Sequence, residues 1–387
     1  MPPEKLPAAC KRRHYLAFLI GASALIDAPQ IQAAVAAGPD SELFITGVAS
    51  AQANDNVFLS HTNAKSDSVF DLVPGLEFDY GNNSLTKGLF SINEDFQIYG
   101  SESGLDTGLT HAAFTSDYDN DKSKLKFAAS FNQADQATRD VHLVGALVKR
   151  DLYHAEGLGE VGVTQKTSLG AGVIFDDTQY KRAGYTNWQW VKVPLKYYYG
   201  VEPKLDLSAG FSYQNNQLGT GGINSDEYFY NIGARGEFTP KLTGGVNVGY
   251  EQIQFVSGKN KSRGGLGIDS NFTYAFSPKT DFTFGVNNDF GYSAAGGSSY
   301  RIFGINGGFT TLISEQWKAN GQVGYSRYNY ITTIQKDDFY NGLLGLTYIL
   351  TTHVSFTGSY AYTEDNSNLT ANSFKNNVFT LSAALRF

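Results

Sequence analysis

The sequence predicts a single antiparallel transmembrane β-barrel of about 18 strands, of the outer-membrane kind, and three observations carry that prediction. From Glu42 to Phe387 the chain repeats segments of roughly 10 to 14 residues in which apolar and polar side chains alternate. Every second connection between these segments is a tight turn. The last residue is Phe387, preceded at two-residue spacing by Leu385, Ala383, Leu381 and Phe379. Phe379, Leu381, Leu385 and Phe387 together resemble the C-terminal insertion signal that barrel-assembly machinery reads.

The N-terminal 36 residues read as a secretory signal. Lys11, Arg12 and Arg13 form a basic region, 15–25 an apolar one, and Ala34-Val35-Ala36 offers small residues for cleavage. The expected organisation is therefore a signal peptide over 1–36 and a barrel over 37–387. Cys10 precedes the apolar region and leaves with the signal, so the mature chain carries neither disulfides nor thiolate chemistry.

Alternation identifies the strands. In 281–292, Phe282, Phe284, Val286, Phe290 and Tyr292 share one face, and Thr283, Gly285, Asn287, Asp289 and Gly291 share the other. Side chains of a strand point alternately to its two sides, so one face suits lipid and the other water. Strand starts fall at Glu42, Ser66, Leu85, Asp106, Lys122, Leu152, Thr167, Asn187, Glu202, Glu227, Lys241, Gly264, Thr280, Tyr300, Gln316, Asp337, Thr352 and Phe374. Tight turns are expected at Gly81-Asn82-Asn83-Ser84, Gln165-Lys166, Glu202-Pro203-Lys204, Thr239-Pro240-Lys241, Ser277-Pro278-Lys279, Ser314-Glu315 and Thr351-Thr352, with longer polar loops over 215–226, 257–263, 328–337 and 363–373. Two stretches fit less well. The segment 134–150 is either a further strand or a loop folded inward, and the slip at Asn306-Gly307-Gly308 reads as a bulge or a weak strand. A count of 16 strands is the alternative.

Composition narrows the function. A mean hydropathy of -0.27, with no long apolar run after the N-terminus, excludes a bundle of spanning helices. The formal charge is -7, and removing four basic and two acidic residues with 1–36 leaves -9. An acidic chain without a Lys/Arg stripe is a poor nucleic-acid partner.

The polar parity places Asp71, Glu77, Asp79, Asn93, Asp95, Glu156, Glu160, Asp206, Glu237, Glu251, Asp269, Asn271 and Asp289 toward a lumen, with Lys124, Lys126, Lys192, Lys196, Arg235 and Lys318. Mid-membrane charge is tolerated where it meets water or an opposite charge, so these residues predict either a hydrated passage favouring cationic or neutral solutes, or cross-strand pairs that fill the wall. Trp188 and Trp190 share that parity and read either as sugar-stacking rings or as part of an interfacial girdle, to which Trp317 and 197–199 are assigned. An enzyme is not expected: His154 with Glu156 is the one candidate acid–base pair and no nucleophilic serine motif accompanies it. No zinc-type spacing or nucleotide-binding glycine motif is present, so neither metal nor cofactor is expected. Strands that begin just after the signal leave no length for the plug of a TonB-dependent transporter.

At Asp55-Asn56-Val57-Phe58 and Val73-Pro74-Gly75-Leu76 the chain resembles the family called putative β-barrel porin 2. Members of that family are often associated with exopolysaccharide synthesis and export loci. The resemblance implies a barrel that passes hydrophilic material, a polysaccharide in its most specific form, with outer-membrane lipid, lipopolysaccharide and the assembly machinery as partners. The alternative is a structural or surface-interaction barrel with an occluded lumen. No oligomeric interface is legible.

Overall fold

A computed structural model describes residues 35–38, 40–141, 145–257 and 261–387. The expected signal peptide falls outside these residues apart from Val35 and Ala36. They belong to a short strand, β1 (Val35–Gly38), which pairs with the start of the next strand. The barrel itself begins with β2 (Ser41–Asn54), β3 (Asp67–Tyr80), β4 (Thr86–Tyr99), β5 (Thr107–Asp119), β6 (Ser123–Asp135) and β7 (Lys149–Thr164). It continues through β8 (Thr167–Tyr180), β9 (Trp188–Glu202), β10 (Leu205–Leu218), β11 (Ser225–Thr239), β12 (Leu242–Phe255) and β13 (Arg263–Ser277). The remaining strands are β14 (Thr280–Tyr292), β15 (Ser299–Leu312), β16 (Trp317–Tyr330), β17 (Lys336–Ile349), β18 (Val354–Ser367) and β19 (Phe374–Arg386).

Each strand pairs antiparallel with its neighbours in sequence, and β19 returns to β2 from Arg386↔Thr46 to Val378↔Asn54. The closed ring therefore holds 18 strands, β2 to β19, and the alternative of 16 is set aside. Closure removes every edge, which lets a sheet stand in hydrocarbon with its backbone satisfied. Short turns and longer connections alternate around the ring, and its first and last strands begin and end, at Ser41 and Arg386, on the short-turn rim. Gly81 shows why one turn is built as it is: its φ is +75°, and a Cβ there would lie 1.9 Å from the Thr86 carbonyl oxygen. The connections expected to be long are shorter than predicted, at 219–224, 331–335 and 368–373, because the strands run on beyond their apolar bands.

The outward parity is apolar and open to the surroundings, as at Phe70, Leu72 and Leu76 of β3 and Phe90, Ile92, Phe96 and Ile98 of β4. A carboxylate interrupts it within the apolar band of β4. Glu94 sits between Ile92 and Phe96 on that face, accepting a hydrogen bond from Thr110 Oγ1 at 2.7 Å. It lies beside Pro74, where the β3–β4 ladder skips from Leu72↔Phe96 to Gly75↔Asn93. A proline has no N–H to give, so the ladder lapses there.

Two expectations are corrected. The register of β15 is unbroken from Tyr300 to Leu312 against both neighbours, so Asn306-Gly307-Gly308 is no bulge. Phe290 and Tyr292 carry lipid parity but are buried. The β13–β14 ladder begins only at Ile268↔Asn288, and above that point the β14–β15 tip leans over the lumen. Phe290 and Tyr292 consequently pack with Ile253 of β12, and Asn288 Nδ2 donates to the freed Leu266 carbonyl at 2.8 Å.

Candidate functional site

The site is the lumen and its extracellular mouth. Of the two readings of 134–150, the inward loop holds. The described part of 136–148 forms no barrel strand, and Arg139 reaches the far wall. There its Nη1 donates to Asp337 Oδ2 and to the Tyr330 hydroxyl, each at 2.9 Å, and Nη2 lies 2.7 Å from Asp140 Oδ1. The guanidinium stacks 3.6 Å from the Tyr328 ring centroid and 5.2 Å from that of Tyr300. Burial pulls the Arg139 pKa down, but Asp140 and the tyrosines outweigh it and hold the group well above its ordinary value, so the cation persists.

The loop leaves β6 and returns into β7, whereas Asp337 and the tyrosines lie on β15, β16 and β17. In a ring of 18, β7 and β16 are nine strands apart in either direction, so Arg139 anchors a strap spanning the mouth. Apolar packing fixes the strap's other contacts. Val141 and Val148 cluster with Ala294 against Tyr180 and Tyr185, and Leu147 packs on the group of Val57, Phe58, Val69 and Tyr99. Two further loops meet above them, Thr186 N donating to the Ala294 carbonyl at 2.9 Å.

Within the wall, many of the expected lumen charges pair across strands. Arg235 bridges Glu160 (2.6 Å) and Asp206 (3.0 Å) and lies over the Tyr198 ring, which faces inward and is no part of a girdle. Asp71 accepts from Ser50 Oγ at 2.5 Å and Gln52 Nε2 at 2.6 Å, and Asp95 accepts from Gln97 at 2.7 Å. Lys126 meets Glu156 at 2.5 Å, Lys204 meets Glu237 at 3.0 Å, and Asn247 joins Lys196 to Asp269. At the short-turn rim Arg386 joins Glu77 and Asp79. Lys124 faces Asp119 at 3.9 Å.

Near the mouth the balance turns acidic. Glu227 accepts from the Tyr292 hydroxyl at 2.7 Å, and Glu251 lies 3.8 Å from Arg301 Nη2. Asp289 and Lys192 are the other charges acting on this pair. Buried polar atoms facing this region, Asn231 Oδ1 and Asn287 Nδ2, have no hydrogen-bond partner within the protein. They leave bonding capacity for whatever fills the passage.

Trp188 and Trp190 are not girdle residues. Trp188 donates from Nε1 to Asn216 Oδ1 at 3.3 Å and packs 4.9 Å from Tyr292, and Trp190 is buried. Trp317, half-exposed beside Tyr348, keeps its rim position. The candidate pair of His154 with Glu156 does not form: His154 faces Asp176 at 3.1 Å, and Glu156 is held by Lys126. Among the described residues no cluster of three metal-ligating side chains occurs.

Sequence reasoning missed Glu227, Arg139, Asp140, Asp337, Asp365 and Arg386. Parity would have placed Glu227, Asp337, Asp365 and Arg386 inward, whereas nothing in the chain ties Arg139 to β17.

The ring, the apolar outer face and the polar lumen set the class. Residues 212–387 match the family described as putative beta-barrel porin 2. That match spans the end of β10 and all of β11 to β19. The chain is an 18-strand barrel of the outer-membrane kind, similar to that porin family over its second half. Among solved structures, Pseudomonas aeruginosa OpdK with vanillate is similar at 12% identity and TM-score 0.47, covering 89% of this chain and 99% of that one. P. aeruginosa OccK2 (OpdF) in complex with glucuronate is similar at 10% identity and TM-score 0.49, covering 90% and 98%. The ferric citrate transporter FecA, in its unliganded form, is similar at 11% identity and TM-score 0.46, covering 83% of this chain, which spans 60% of that one. No curated protein matches the chain.

Proposed function

We infer that this protein is a non-catalytic channel for hydrophilic solutes across the outer membrane, narrowed by the strap that carries Arg139 and biased toward cationic or neutral solutes. The observation that carries this reading is the strap's anchorage on the wall opposite its origin, above an acidic lumen. A ring of this size encloses an aqueous passage unless loops fill it. Charges from the wall then set which solutes enter, and the strap sets their size. The most specific version is passage of an exopolysaccharide chain, which draws on the family's association and requires the strap to yield to the polymer. The leader over 1–36, lipopolysaccharide contact and delivery by the assembly machinery belong to the same reading.

The test is single-channel conductance of the refolded mature protein in a planar bilayer, with neutral and acidic oligosaccharides added. Steady conductance blocked by a sugar supports the channel and names its solute class. A silent, correctly folded barrel favours the second reading, a structural or surface-interaction barrel. The leaning β14–β15 tip and the loops meeting over the mouth speak for that alternative.

A further inference from the structure

Asp365, on the lumen parity of β18 near the extracellular rim, is 1% exposed, and its Oδ1 has no hydrogen-bond partner. A carboxylate can only accept, and a buried one without a donor or counter-charge is costly. The cation that acts on it is Arg139, already in contact with Asp140 and Asp337, so a single guanidinium serves three carboxylates. The local balance is short of positive charge.

Asp365 also lines a cavity of about 400 Å³ between the first and last extracellular connections, together with Asn56, Ser60, His61, Ala64 and Phe374. The frame of this cavity is rigid. Asn56 Nδ2 donates to the Ser60 carbonyl at 3.0 Å and to the Lys375 carbonyl at 2.8 Å, while its Oδ1 accepts from Ser60 N at 2.8 Å. Asp55 takes both its bonds from Asn377. The polar wall is thus spent on itself, and Asp365 is the acceptor left over. Lys375, the cation at the rim, is held by Glu364 at 3.0 Å on the outward parity.

We propose that this cavity is an extracellular binding site for a small organic ammonium ion, whose N–H groups bond Asp365 and whose carbon skeleton lies against Phe374 and Ala64. A bare metal ion fits less well, because the described residues offer no cluster of three ligating side chains and the space is far larger than an ion. A neutral alcohol supplies donors but not the missing charge.

The test is calorimetric titration of the full refolded barrel with n-butylammonium, using n-butanol and butyrate as matched neutral and anionic probes. One saturable site for the ammonium ion, absent for the other two, is expected. Asp365→Asn keeps the shape, removes the charge and weakens binding at least tenfold. Ala64→Trp fills the cavity without touching the buried network and abolishes binding, so it carries the test if the first variant fails to fold. No saturable ammonium binding by the wild type, equal binding of n-butanol, or binding that survives Ala64→Trp would each overturn the proposal.

Discussion

Arg139 Nη1 lies 2.9 Å from Asp337 Oδ2, joining the loop after β6 to a strand on the other side of the barrel. Both side chains are almost fully buried, so neither can trade its partner for bulk water without rearrangement. Removing one member of such a pair costs about 3–5 kcal/mol. Arg139→Ala should release the strap and give a larger, noisier single-channel conductance, while Asp337→Asn gives a smaller change because Asp140 still holds the guanidinium. Unchanged conductance in both variants would mean that the strap does not limit the passage.

The acidic mouth predicts ion selectivity. Replacing the half-buried lumen carboxylates Asp269 and Asp289 together with asparagine should lower the cation-to-anion permeability ratio read from reversal potentials across a salt gradient. The contrast with wild type should shrink as ionic strength approaches 1 M, where the screening length falls to about 3 Å. A ratio that stays fixed at low salt would place the selectivity elsewhere.

Glu94 offers a stability test. It stands on the lipid face within the apolar band of β4, bonded to Thr110. Charged side chains there are destabilising, carboxylates less so than lysine or arginine. Glu94→Leu should therefore raise unfolding free energy in lipid vesicles by ~1 kcal/mol, measured by urea titration. A loss of stability would show that the bond to Thr110 outweighs the cost of the charge.

At the seam, Phe387 N donates to the Ile45 carbonyl at 2.9 Å, Ile45 N donates back at 2.7 Å, and the Phe387 ring stacks 4.9 Å from His353. Phe387→Ala keeps both backbone bonds and removes only the ring. Its yield of heat-modifiable, folded barrel in cells should drop well below wild type, while refolding in detergent is little affected. Equal losses in both settings would point to the seam itself rather than to recognition of the terminal residue.

Much of this was legible in the chain. The 18 predicted strand starts fall within three residues of those observed, because a period of two and a turn every dozen or so residues are local properties. Asp71, Glu160, Asp206, Arg235 and Glu251 were assigned inward by parity, and their bonds lie on that side. Phe290 and Tyr292 went wrong by the same rule, because parity presumes an intact wall and the β13–β14 ladder opens there.

The sequence by itself determined the barrel, its strand count to within one hairpin, and which residues face lipid, since each follows from neighbours along one strand or across one turn. Only the tertiary structure decided that Arg139 meets Asp337, that the β14–β15 tip covers the mouth, and that Asp365 Oδ1 is left without a hydrogen-bond partner. The Arg139 contact joins segments 198 positions apart. Their geometry depends on ring closure, which sums the twist and register of all 18 strands and is written in no single stretch of chain.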